Sequence, residues 1–539
     1  MSPDPATRVG ELLEQFGGPD ADVAWLLCDR HPASAKALTI VDEHSVTQHY
    51  TYGDLAEASR RAAAVLAEAG VQRGDRVATV MGKSADLVTV VLGIWRLGAV
   101  YVPLFTAFAE DTIGSRLADA GVVVVVADED QQAKVPPGDW TLIVAGTDSP
   151  EGLSARLAEV SWREIGSTSV GGDGALVHMF TSGTTGKPKG VVHPVRYAAG
   201  WHSYLEFGLG VGPDSVFWCG ADPGWAYGLY TAVVAPLAAG VPTILLRGGF
   251  SAATTWAVLK DLGVTDYTAA PTVYRGLRAS DIPVPDGLAL RGLSSAGEPL
   301  TPEVNDWARE ALGLEVHDHF GQTELGMPIG FPHHPSLRRP VQAGAMGTAL
   351  PGWEITVLEE GDDVPAAAEQ TGRLAIVVAD SPLMTFRGYT GGRGADRFCG
   401  TGAYFLTGDI ASIDTEGIVR FSSRDDDVIL MAGYRIGPFD VESTLLQHPA
   451  VAEAAVVAGP DEVRGEVVEA FVVPTPGTEV TDDLVAQLQQ WVKKNYAAHA
   501  YPRRIHFVDT LPKTPSGKIQ RAQLRQQRRE NSGPVAGAR

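Results

Sequence analysis

Residues 176–194 read LVHMFTSGTTGKPKGVVHP, and both the fold and the chemistry of the chain are worked out from this stretch. The apolar run LVHMF has the length and composition of a buried strand. Behind it, Thr181–Gly190 collects the residue types that suit an oxyanion. Glycines let backbone N–H groups approach closely, hydroxyls add donors, and two lysines supply charge. It is not a Walker A loop, because GxxxxGK[ST] needs Gly at 181 and Ser or Thr at 188, where Thr181 and Pro188 stand. A generic Gly/Ser/Thr run is a solvated turn. This ten-residue string, fed by a strand and followed by the apolar VVHP, is more particular than that.

Working outward, Tyr52 to Leu104 alternates Ala-rich helical stretches with β-rich runs such as RVATVM and AVYVPL, the rhythm of βαβ units on a parallel sheet. Val122–Val126 and Thr141–Val144 continue it. Residues 174–270 restart it, with a strand, the Gly-rich loop and a helix, then FWCGADPGWAYG and VPTILLRGG. The span from Val88 to Phe105 is broken by Arg96, Gly98 and Pro103, so it reads as a buried helix and a strand and not as a membrane crossing. After about residue 400 the texture turns to alternating strands (GIVRFSS, VAEAAVVAG, EVVEAFVVP) with a helix over 482–495. The expected fold class is α/β: a large multi-layer N-terminal domain with parallel-rich sheets over 1–424, and a small α+β C-terminal domain over 425–525. The run SSRDDDVILMAGYR joins the two as an exposed connection, and 526–539 is expected to be a polar tail.

A chain of 539 residues with 45% hydrophobic content is long enough for several cores. Its net charge of −22, with Lys and Arg scattered, disfavours nucleic acid as a partner. Cys28, Cys219 and Cys399 lie far apart, which fits neither a disulfide framework nor a zinc site and suits a reducing cytoplasm. The first residues lack the pattern of an export signal.

Five motifs in order, TSGTTGKPKG, FGQTE at 320–324, YFLTGD at 404–409, RDDDVILMAGYRIGPFDVES from 424 and PKTPSGK at 512–518, resemble those of the adenylate-forming superfamily. Acyl-CoA synthetases, luciferases and peptide-synthetase adenylation domains share that family. The resemblance runs from about Tyr52 to Arg525 and is nearest the acetyl-CoA and medium-chain acyl-CoA synthetase branch. It implies an ATP-dependent, AMP-forming acid–thiol ligase that uses Mg²⁺ and takes coenzyme A as co-substrate. The alternative is a stand-alone adenylation enzyme that loads a separate carrier protein or an amine.

The resemblance also implies residue roles. Lys518, on a loop of the mobile small domain, touches carboxylate and phosphate oxygens during adenylation, with Thr323 at the α-phosphate and Glu324 on Mg²⁺. Thr181, Ser182, Gly183, Thr184, Thr185, Gly186, Lys187 and Lys189 hold the β- and γ-phosphates, Thr184 lying by the metal. Gly297, Glu298, Pro299 and Phe320 line the adenine side, and Gln322 belongs to the ATP site; Asp409 takes the ribose hydroxyls, and Arg424 reaches ribose or phosphate. Asp426 is the pivot about which the small domain turns between half-reactions. Gly433 and Arg435 line the pantetheine tunnel, and Lys493, with Lys494, Arg503 and Arg504 nearby, offers charge to the CoA phosphates. In acetate-activating relatives a tryptophan precedes QTE; here Gly321 stands there, so a deeper acyl pocket walled by Trp225 is expected, favouring a medium-chain or aromatic acid.

Overall fold

The computed structural model describes residues 4–181, 188–431, 434–461, 465–497, 499–514 and 519–531. LVHMF lies on the buried strand Ala175–Thr181. The segment after the loop departs from the expected strand, loop and helix. Lys189–Pro194 returns as an antiparallel strand with Thr181 opposite Lys189, and only then does helix Tyr197–Ser203 begin. The two ends of the glycine-rich stretch are thereby pinned side by side.

This hairpin is one edge of a six-stranded sheet, in which Thr141–Ala145, Val122–Asp128, Arg76–Val80 and Val100–Pro103 precede it, all parallel. Strands covered on both faces read as continuous apolar runs, as VVVVVAD does. The expected buried helix is Ala85–Arg96, with every residue from Leu87 to Arg96 buried. It crosses helix Tyr52–Glu68 closely because Gly93 has no side chain: a Cβ there would lie 2.8 Å from the Ala62 Cβ. Arg96 ends the helix inside the protein, and its charge is met by both oxygens of Asp29 at 2.6 and 2.8 Å and by the Ser59 hydroxyl at 2.8 Å. A buried guanidinium without such partners would be strongly destabilising.

A second sheet of nine strands is parallel through its centre and antiparallel at both ends. At one end Val316–Gln322 turns at Thr323 and Glu324 into Gly326–Gly330, which places the QTE triplet on a tight connection. A third, antiparallel sheet contains Tyr404–Ile413 and Val419–Arg424, with Asp409 opposite Arg424. Among the described residues no helix is long and apolar enough to cross a membrane.

From Ile429 onward a fourth sheet, built around strand Gly465–Pro474 with Val451–Asp461 antiparallel at its edge, packs its own apolar core against helices Pro438–Leu446 and Asp482–Asn495. The helix expected over 482–495 has those bounds. The tail expected from 526 does not begin there, because helix Arg521–Asn531 runs through it. Arg521 binds Glu442, Arg525 binds Asp427 at 2.7 Å, and Arg528 binds the fully buried Glu469 at 3.1 Å. The DDD run is a short 3₁₀ turn, Asp425–Asp427, in which Asp425 is exposed and Asp427 is half-buried and paired with Arg521 and Arg525.

Candidate active site

Three motif segments and Arg397 are joined by hydrogen bonds around Thr407. Its carbonyl accepts from Gln322 Nε2 and from Arg397 Nη2, both at 2.7 Å. Gln322 Nε2 also donates to Asp409 Oδ2 at 2.9 Å, and Arg424 Nη1 donates to Asp409 Oδ1 at 2.9 Å. Burial pushes the Asp409 carboxyl up, against the pull of Arg424. Gly408, at φ +75°, lets the two guanidinium groups come in: a Cβ would lie 2.9 Å from Arg397 Nη1 and 3.2 Å from Arg424 Nη2. The positive φ is what calls for the glycine of TGD. Gln322 Oε1 and Arg397 Nε are buried without a partner among the described residues. Such groups are costly unless a ligand or water completes them.

The QTE turn is tied to the hairpin of residues 175–194 by a second chain of contacts. Glu324 is buried, and Tyr389 donates its hydroxyl to Oε1 at 2.6 Å; Lys189 Nζ lies 4.9 Å from the centre of the Tyr389 ring. Burial, and then Glu324, raise the Tyr389 hydroxyl well above its ordinary range, so it stays a donor. Thr323 is half-buried, and its backbone carbonyl accepts from His193 Nε2 at 2.7 Å and from the Tyr197 hydroxyl at 2.9 Å.

In the SSAGEP segment, the Glu298 carboxylate is occupied. It accepts the Thr272 N–H at 2.9 Å, at the first turn of helix Pro271–Ala279, and Arg275 Nη2 at 2.7 Å. Negative charge is favoured at that helix end. This leaves the backbone of Gly297–Pro299, with Gly297 exposed at φ +107°, as the part facing outward. Beside it, Asp318 receives the Leu300 N–H at 3.4 Å while Oδ1 has no partner among the described residues, and burial pushes its carboxyl up to about 7. Phe320 is half-buried and packs with Ile329, Val357 and Leu374.

The acyl-pocket expectation needs correction at Gly321. A Cβ on this residue would overlap the Gly326 carbonyl oxygen and Met327 Sδ, so the space beside Gly321 is filled and not open. Substituting Gly321 with alanine is expected to destabilise the fold by about 1–3 kcal/mol through overpacking, read as a lower denaturation midpoint; an unchanged midpoint would show that the turn yields. Trp225 lies 5.3 Å from Phe105 and 5.4 Å from Phe108, ring centre to ring centre, in a half-buried aromatic group.

In the C-terminal part, Lys493 Nζ and Arg503 Cζ lie 4.0 and 3.9 Å from the centre of the Tyr501 ring, so both cations rest on one aromatic side chain. Arg504 is instead committed to buried Glu469, and Lys494 is exposed. Ser182–Lys187, Gly433 and Lys518 fall outside the described residues, as do the side chains of Asp426 and Arg435. Sequence reasoning passed over His193, Tyr197, Tyr389, Arg397 and Asp318. Only His193 carried a signal, a histidine on the apolar run that leaves the glycine-rich loop.

The model of the AMP-binding enzyme family matches residues 28–390, and that of the AMP-binding enzyme C-terminal domain matches 440–518. The chain is 34% identical over 528 residues to the acetyl-coenzyme A synthetase of Bacillus subtilis (strain 168), covering 94% of this chain and 90% of that one. It is 31% identical over 509 residues to the mitochondrial acyl-coenzyme A synthetase ACSM3 of Mus musculus, covering 90% and 85%. A crystal structure of a Brucella canis acyl-CoA synthetase matches with a TM-score of 0.75 and 41% identity, covering 98% of each chain.

Proposed function

The chain belongs to the AMP-binding enzyme family and is an AMP-forming ligase of the acyl-CoA synthetase type, and from that premise we propose how its residues divide the work and which acid it takes. It uses ATP to activate a carboxylic acid as the acyl adenylate and passes the acyl group to coenzyme A.

The nucleotide lies across the Gln322–Thr407–Asp409–Arg397 group. The observation that carries this reading is the pair of orphaned buried atoms, Gln322 Oε1 and Arg397 Nε, beside a carboxylate that can accept from ribose. Asp318 Oδ1 supplies an acceptor next to the segment that faces adenine. Lys189 and the loop from Thr181 hold the diphosphate end. Glu324 suits Mg²⁺: it is a buried carboxylate with one oxygen taken by Tyr389, and hard cations prefer such oxygen donors. Thr184 is the second residue proposed to hold the ion, which when bound neutralises phosphate charge. The substrate carboxylate attacks the α-phosphorus, the bond to the diphosphate breaks, and Lys518 with Thr323 stabilises the charge gathered there. The small domain then turns about Asp426, Lys518 leaves, and the thiol reaches the carbonyl as AMP departs.

The acid is larger than acetate, medium-chain or aromatic. Gly321 does not open the pocket, so what supports a larger acid is the half-buried aromatic group of Trp225, Phe105 and Phe108, with the adaptable Met327 thioether bounding the depth beside Gly321. A panel from acetate through decanoate to benzoate and phenylacetate, scored by CoA-dependent AMP release, tests this. Release is expected to be highest with the larger acids, and Met327→Ala to move the optimum toward longer ones. A preference for acetate, or a profile unmoved by Met327→Ala, would contradict the pocket assignment. Release of AMP with a carrier protein or an amine but not with CoA would contradict the acceptor.

A further inference from the structure

The Thr323 carbonyl is the most heavily held backbone group of the QTE turn, and none of the roles above uses the groups that hold it. Thr323 and Glu324 are the central residues of the turn, closed by the Leu325 N–H on the Gln322 carbonyl at 3.1 Å. From outside the turn, His193 Nε2 and the Tyr197 hydroxyl converge on the Thr323 oxygen at 2.7 and 2.9 Å. The two rings are stacked, 4.1 Å between centres and 19° between planes, and Tyr230 packs edge-on against both. Tyr230 in turn stacks on Trp201, and all of these side chains are buried.

The protons in this group are fixed by elimination. A carbonyl oxygen can only accept, so His193 carries its proton on Nε2. Nδ1 lies 2.8 Å from the Tyr230 hydroxyl, and among the described residues no carboxylate is in hydrogen-bond contact with either nitrogen. Burial holds the imidazole near pKa 3, so the ring is neutral and Nδ1 accepts from Tyr230. The network has one orientation: Tyr230 hydroxyl to Nδ1, Nε2–H to the Thr323 oxygen, and Tyr197 hydroxyl to the same oxygen.

We infer that His193 is a positioning residue for adenylation: with Tyr197 it clamps the Thr323 carbonyl, fixing the peptide plane between Thr323 and Glu324 and so the directions of both side chains. Because the peptide is planar and trans, a carbonyl aimed at His193 turns the Glu324 N–H to the opposite side. Turning that plane over would leave two buried donors without an acceptor, which is costly. Tyr389 fixes Glu324 at its carboxylate, His193 at its backbone. Lys189 is in ring contact with Tyr389, and His193 lies on the same strand four residues on, so one hairpin edge supplies both supports. This rests on the assignment of Thr323 and Glu324 to the adenylation step.

Three variants test it in two separate assays, acid-dependent exchange of diphosphate into ATP and CoA transfer from supplied acyl adenylate. His193→Phe keeps a ring but removes the donor. It is expected to lower exchange about ten- to a hundred-fold and to raise the Mg²⁺ concentration for half-maximal exchange, with CoA transfer within about two-fold of wild type. His193→Gln, which can return an N–H near the Nε2 position, is expected to recover most of the loss. Tyr197→Phe removes one hydroxyl and is expected to lower exchange about three- to ten-fold, keeping the test alive should His193→Phe fold poorly. Equal losses in both assays, a Gln variant no better than Phe, or full exchange in Tyr197→Phe would overturn the clamp. Wild type failing to exchange with any acid would overturn the proposed function; an active wild type with variants indistinguishable from it would overturn the clamp alone.

Discussion

Lys518→Ala is expected to abolish nearly all acid-dependent exchange of diphosphate into ATP, by about two to three orders of magnitude, while CoA transfer from supplied acyl adenylate persists. Two anions must meet at the α-phosphorus. At about 4 Å, a unit charge pair interacts by about 4 kcal/mol at an effective dielectric of 20, against about 1 in bulk water. A cation delivered into a closed site therefore contributes on the scale of the expected loss, and a solvated surface lysine does not. Lysine 518 is the last residue of PKTPSGK, and the described ends of that segment are pinned: Lys513 pairs with Ile519 and Gln520 N–H donates to the Pro512 carbonyl at 2.9 Å. Near-normal exchange in the variant would remove Lys518 from the first half-reaction.

Asp426→Pro carries the opposite signature. Proline fixes φ near −65° and removes a donor, so a turn that must change backbone conformation is held in one state. Adenylate and diphosphate are expected to form at near wild-type rate, with acyl-CoA formation down about a hundred-fold, the scale of a 3 kcal/mol backbone penalty. The turn Asp425–Asp427 separates the strand that ends in Arg424 from the C-terminal sheet. Equal losses in the two half-reactions would contradict the proposed rotation.

The parts legible in the sequence were those whose chemistry is local. TSGTTGKPKG, QTE and TGD announce themselves because each sets particular residue types in a row, and QTE and TGD lie where the backbone turns closely. The parallel-rich sheets were legible through VVVVVAD and the buried run Leu87–Arg96. Partners that arrive from elsewhere in the chain were not. Arg397 meets Thr407 through a guanidinium reaching across ten residues, Tyr389 finds Glu324 over sixty-five, and Met327 fills the space beside Gly321 only because the strand folds back at Gly326. The second half of helix Arg521–Asn531, from residue 526, was misread as tail because it has no apolar stripe; the helix is anchored by arginines on Asp427, Glu442 and Glu469, with Leu524 as a buried apolar contact. Hydropathy cannot see a helix held by charge.

The claim on which the rest depends is that one site first makes a mixed anhydride and then discharges it to a thiol. Rapid quenching of enzyme with ATP, Mg²⁺ and a larger acid, before and after adding CoA, tests it most directly. Acyl adenylate and diphosphate are expected to accumulate to about one per active site without CoA, and the adenylate to convert to acyl-CoA and AMP when CoA is added. Appearance of ADP and phosphate, or acyl-CoA formed with no adenylate preceding it, would contradict the account.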